Sequence, residues 1–361
     1  MISRSLSLVP LRLTALLAVT TGLSACSTGT PTAAGPSAPA FVAPSASAVL
    51  PSGSASPRPT PSATAKKPAL PAPGGQCSGF PADNVWRADV SKLPVHSSSG
   101  TIVNSIGASA RMHPDFGSGL WQGAPIGIPV TTIRPGQKTV KVSFEYAGES
   151  DKGPYPIPAD AKVEGGRNSS GDRHVILHDP ATCKVYELYA AYPSGAGWRA
   201  GSGAIFDLRS NKLRPAGWTS ADAAGLSVFA GLVRYEEVAA GRINHALRIT
   251  VPRTRNSYVW PARHAASSRP DAALPPMGLR LRLKASVDTS KMPKQARIIA
   301  EAMKKYGVIV ADNGSAWYLS GAPDDRWSND ALRALKNLQG SNFEAVDTSG
   351  LMADKNSGAV R

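Results

Sequence analysis

Between residues 27 and 76 the chain is almost wholly Pro, Ala, Ser, Thr and Gly, with eleven of its 31 prolines and not one acidic residue. A stretch of that composition buries too little apolar surface to repay the entropy of ordering it. Folding is therefore left to residues 77–361, a span of 285 positions that suffices for one domain with a substantial core. The expected organisation is a leader over 1–25, a linker over 26–76 and a globular domain over 77–361. Fully extended at roughly 3 Å per residue, such a linker reaches on the order of 150 Å.

The leader carries Arg4 and Arg12 ahead of a short apolar run, Leu13 to Val19. That run falls short of the ~20 residues a membrane-spanning helix needs, so it reads as a secretory signal. It ends in Leu23-Ser24-Ala25-Cys26, which resembles the bacterial lipobox. The resemblance implies that Cys26 is lipidated, and that the protein is exported and held to the membrane, facing the cell envelope or exterior. Cys77 and Cys183 are then the cysteines left for the domain. Two cysteines in an exported domain most often pair, two free thiols being the alternative.

Charge divides along the same boundary. Of 40 basic and 25 acidic residues, five basic and no acidic ones precede residue 77, so the domain keeps 35 against 25, a net of +10. In an exported protein this suggests attraction to an anionic polysaccharide or wall polymer and no nucleic acid partner, although a merely solvated basic surface gives the same count.

Within the domain the pattern is mainly β. Ile126–Val130, Lys138–Tyr146, Gly231–Val238, Arg242–Val251 and Leu279–Leu283 read as strands, whereas Ile102–Ala110 fits helix or strand. In Arg242–Val251, His245 falls in an apolar row and reads as a buried, hydrogen-bonded core residue. Val308–Ala311 and Trp317–Leu319, joined by Asp312-Asn313-Gly314, read as a hairpin, since Asn-Gly suits a type I′ turn. Two helices stand out near the C-terminus: Lys294–Tyr306, stopped by Gly307, and Ser328–Leu338, opened by a capping serine. Many short strands with two late helices predict a single β-sandwich or jelly-roll-like domain.

The densest chemistry lies between Gly171 and Leu226. Arg173–His178 alternates, with Arg173, Val175 and Leu177 on one face and His174, Ile176 and His178 on the other. If residues 179–182 form the turn, His174 faces Glu187 across the hairpin and His178 faces Cys183. Directly opposed side chains have Cβ atoms about 5 Å apart, near enough for a carboxylate to orient a histidine base. A satisfied, half-buried histidine is the structural alternative.

Several segments resemble a family of secreted bacterial proteins: Gly201–Leu208, Gly217–Leu226, Ile243–Arg248, Pro276-Met277-Gly278 and Asp312-Asn313-Gly314. The resemblance covers most of residues 80–350 and implies one discrete domain; it brings no activity and no catalytic residue with it.

No H-E-x-x-H, C-x-x-C pair, P-loop, nucleophile elbow or dinucleotide fingerprint is present, and no metal or cofactor is expected. What remains is carboxylate chemistry near aromatics. Glycosidases need two carboxyl groups about 5–10 Å apart, with aromatic surfaces for sugar faces. Glu187, Asp207 and Asp222 supply the acids, His174 a base, and Trp198 and Trp218 the aromatics. A lyase would instead use His174 or Tyr189 as base with Arg248 to neutralise a uronate, and the basic face of Arg280, Arg282 and Lys284 would line a groove for an anionic ligand, a solvated outer face being the alternative. The expectation is a surface-tethered glycoside hydrolase or polysaccharide lyase; the alternative is a non-catalytic polysaccharide-binding or structural envelope protein.

Overall fold

The computed structural model describes residues 77–361. The leader, Cys26 and the linker lie outside the described residues. The domain is mainly β, with its strands in four sheets and few helices among the described residues.

The largest sheet has six strands in the order His113–Asp115, Tyr318–Ser320, Leu247–Val251, Val308–Asn313, Arg280–Leu283, Phe343–Ala345. The expected 308–319 hairpin is not formed. Strand Leu247–Val251 lies between its two arms, parallel to Val308–Asn313 and antiparallel to Tyr318–Ser320. A non-local strand takes the place the Asn-Gly turn would have given to a neighbour, a choice local turn chemistry cannot register. Gly231–Val238 is also not a strand; two short helices, Val228–Gly231 and Tyr235–Ala239, fill it. Helix Lys294–Lys305 ends as expected at Gly307, whose φ of +71° suits a residue without a Cβ. Ser328 caps Asn329–Arg333, its hydroxyl accepting from the Ala331 N–H.

The second sheet runs Ser202–Asp207, Lys184–Tyr189, Val175–Asp179, Val130–Thr132. Its period-2 faces are those read from the sequence. Ile176, Val185, Ala204 and Phe206 join the main core, whereas Val175, Leu177 and Leu188 join a smaller core with Tyr155, Val142 and Ala200. The hairpin register differs from the expected one by two residues. Asp179 pairs with Lys184, so Ile176 rather than His174 faces Glu187, and His178 faces Val185 rather than Cys183. Cys183 has a φ of +54° and belongs to the turn, which moves the loop one position along. A two-residue shift keeps every side chain on its face, so the pattern held while the partners changed.

Cys77 and Cys183 are bonded, with Cα atoms 4.8 Å apart. The bridge staples the first described residue to the central hairpin. Mass analysis of the purified protein should therefore show no alkylated thiol from this pair before reduction and two after it; alkylation without reductant would contradict the bridge.

Candidate functional site

Cross-strand pairing assembles a polar face at one end of the large sheet. His113 pairs with Tyr318, Tyr318 with Thr250 and Thr250 with Asp312, so these four share one face. Asp115 pairs with Ser320 in the adjacent row, and Arg248 reaches Ser320 through Nη1, which donates to its Oγ at 2.6 Å. The His113 and Tyr318 rings stack at 4.3 Å. A bulge between the 249 and 250 pairings brings Asp312, rather than Ala311, beside Thr250.

Arg248 is fixed from beneath. Its Nη2 and Nε donate to the two Asp222 oxygens at 2.9 and 3.1 Å, and both side chains are buried. Gly231 allows this: a Cβ there would lie 2.8 Å from that of Arg248. The Asp222–Arg248 pair is thus the structural base of the site and not an exposed ligand contact.

His174 comes from the second sheet. Its Nδ1 meets Glu164 Oε2 at 2.6 Å and its Nε2 meets the Ala221 carbonyl at 2.9 Å. Both ring nitrogens face acceptors, so both carry protons. Burial disfavours the charge, but the Glu164 carboxylate outweighs it and pushes His174 up to about 9. The same contact holds Glu164 below its ordinary value against the effect of burial. His174 is therefore an imidazolium near neutral pH and cannot take up a proton as a base; its partner is Glu164, and the expected pairing with Glu187 is absent.

This pair sets a pH dependence. A histidine raised in the folded state contributes stability that is complete below about 6.5 and lost as pH rises through its folded value. Between pH 6.5 and 9 the shift is worth at most about 3–4 kcal/mol at ~1.4 kcal/mol per unit. The urea midpoint should fall across that range, and Glu164→Gln should flatten the fall. An equal fall in the variant would contradict the assignment.

Asp312 is the partly exposed carboxyl beside the Asp222–Arg248 pair. Its side chain is 26% exposed and lies 3.9 Å from Arg248 Nη2. Burial, then the charge of Asp222, push it up to about 7, with Arg248 and His174 pulling the other way. Asp115, 57% exposed, is raised by burial. Tyr189 adds an aromatic edge, its ring 5.9 Å from that of His174.

The remaining expected residues lie elsewhere. Glu187 is fully buried and caps helix Val228–Gly231, accepting from the Ser227 hydroxyl at 2.7 Å and from the Val228 and Phe229 N–H groups, each at 2.9 Å. Burial lifts it to about 7, but no solvent reaches it. Asp207 is tied to Arg209 beside a turn. Trp198 packs against the smaller core, and Trp218 lies 5.5 Å from the Arg214 guanidinium. Arg280 is buried, its Nη1 donating to the Tyr306 carbonyl and its Nη2 to that of Val85 at 2.8 Å. Arg282 binds Glu344 and the Val90 and Leu93 carbonyls. These arginines tie the entry segment to the sheet, so they form no groove for an anion. His245 is the buried core residue expected, its ring bonded to Glu237 at 3.0 Å and to the Ala246 carbonyl at 2.7 Å. Among the described residues no group of three or more His, Cys, Asp or Glu is arranged to hold a metal.

A cleft of about 820 Å³, whose lining includes neither Asp312 nor Glu164 but holds Asp160, Glu236 and Glu237, lies between strand Val130–Thr132 and helix Tyr235–Ala239. Phe229, Tyr235, Pro129 and Pro158 line it together with Arg134 and Lys162. Its His178 stacks on Phe229 at 4.9 Å and bonds the Cys77 carbonyl at 2.8 Å; burial holds that ring below its ordinary value. No family model matches the chain, and neither a curated protein nor a solved structure matches it.

Proposed function

We propose that this is an exported, lipid-anchored carbohydrate-active enzyme that hydrolyses glycosidic bonds at the Asp312–Glu164 site. The observation that carries the reading is the pair of unlike carboxyls. Asp312 holds its proton near neutral pH in a partly open position, whereas Glu164 is kept ionised by His174. Glycoside hydrolysis asks for that division: one carboxylic acid to protonate the leaving oxygen and one carboxylate to stabilise or attack the positive centre. Asp312 takes the first role. Glu164 takes the second, with Oε2 committed to His174 and no protein partner at Oε1 among the described residues. The stacked His113–Tyr318 pair offers an aromatic surface beside them.

In this reading the lipobox-like tetrapeptide anchors the protein to the membrane, and the Pro/Ala/Ser-rich segment carries the domain into the envelope or beyond. The two larger sheets, which contribute to one core, form a sandwich-like body, and the net +10 of the domain keeps it near anionic wall polymer. Purified protein offered a panel of envelope and plant polysaccharides should release reducing ends from at least one.

The 820 Å³ cleft, with its prolines and aromatics, favours a second reading, a polysaccharide-binding protein without catalysis. Retention on insoluble glycan with no product across the panel would support that reading over the first.

A further inference from the structure

Resting on the site proposed above, we infer that the hairpin carrying Trp121 is the sugar-binding platform of that site. The hairpin pairs Leu120–Trp121 with Ala124–Pro125, and Gln122 and Gly123, at φ +52° and +81°, form its two-residue tip. Both central residues at positive φ mark the tight turn whose twist suits a hairpin, so the tip is a defined structure.

Its base is also fixed. The Gly117 N–H donates to the Ile126 carbonyl, and the Asn329 side chain brackets Ser118, accepting from its N–H and donating to its carbonyl, each at 3.0 Å. The hairpin therefore leaves the large sheet directly after Asp115. On its far strand, Ala124 packs against Gly166, where a Cβ would lie 3.4 Å from that of Ala124. Gly166 is two residues after Glu164. One rigid hairpin thus touches the segments carrying two of the site's acids.

Trp121 is 69% exposed and Leu120 66%. Of five large apolar residues more than a third exposed among the described residues, these two stand on the hairpin, and a third, Tyr146, belongs to the site's other rim. The Tyr146 N–H bonds the Gly201 carbonyl, and the Gly201 N–H bonds the carbonyl of Tyr189. Exposed aromatics on segments tied to those that carry Asp115, Glu164 and Tyr189 provide flat apolar faces for the C–H faces of sugar rings.

Calorimetric titration of the Asp312→Asn protein with neutral and uronate oligosaccharides, and with anionic phospholipid vesicles, tests this without turnover. At least one oligosaccharide should bind, and adding Trp121→Ala should weaken it about five- to tenfold, with Trp121→Phe retaining most of the affinity. In the active protein Trp121→Ala should raise KM and leave kcat within about twofold. Equal affinity with and without Trp121, or Trp121-dependent binding to vesicles alone, would each overturn the inference. Binding that depends on Trp121 with no catalysis in the wild type would sink only the enzyme reading. Catalysis that depends on Asp312 but not on Trp121 would sink only this one.

Discussion

Replacing Arg248 by Met should destabilise the domain by about 3–5 kcal/mol, because it strands a fully buried carboxylate. Asp222 has no solvent contact, and both of its oxygens accept from Arg248. The same substitution takes the donor from Ser320, which is also buried. At roughly 2–4 °C per kcal/mol for a domain of somewhat smaller size, the melting temperature should fall by about 10 °C. Combining Arg248→Met with Asp222→Asn should recover part of the loss, since the charge as well as its partner is then gone. A loss below about 1 kcal/mol in the single variant would mean that the pair does not hold the two strands and the 220–224 loop together.

The second large effect belongs to the hydrolysis proposed for this site. Asp312→Asn should lower kcat by about 10²–10⁴-fold, the usual contribution of a positioned general acid. The wild-type rate should fall as pH rises through about 7, because Asp312 acts in its protonated form. Stability should move the opposite way on substitution. An Asp raised from 3.8 to about 7 makes the folded state progressively less favourable as pH climbs through that interval, since only the unfolded chain ionises freely. Asn carries no such cost, so the inactive variant should be at least as stable as the wild type at pH 8. Sites that trade stability for chemistry behave in this way. Retained activity in the variant, or a rate that does not respond to pH near 7, would remove Asp312 from the mechanism.

How much of this was legible in the sequence varied with the distance between partners. The alternation of residues 175–178 showed which side chains share a face, because it needs only neighbours; Arg173, at φ +50°, and His174 precede the strand. It did not show that His174 meets Glu164 rather than Glu187, since Glu164 lies in a loop with no periodicity and the turn was displaced by one residue at Cys183. The alternation of Leu281 with Arg280 and Arg282 suggested an open basic face. Alternation cannot reveal that residues 85–93 lie over that face and supply carbonyls to both arginines. Asp222, Arg248 and His174 were found because they are charged residues within apolar or dense segments, and they proved to be the scaffold of the site. Asp312 was visible only as turn chemistry. It joins the site because Leu247–Val251 inserts between strands that adjoin in sequence, and a single bulge turns it onto the face of Arg248. A carboxylate at the end of an apolar strand, Val308 to Ala311, was the one local signal that could have singled it out.

The central claim is that a partly exposed carboxyl at Asp312 keeps its proton near neutral pH. Carboxyl carbon NMR across a pH titration observes this without knowledge of the substrate. Two carboxyls should titrate near 7, the buried Glu187 and the accessible Asp312, and Asp312→Asn should remove one of them. If the resonance lost in Asp312→Asn is instead one that titrates near 4, the acid proposed for this site does not exist.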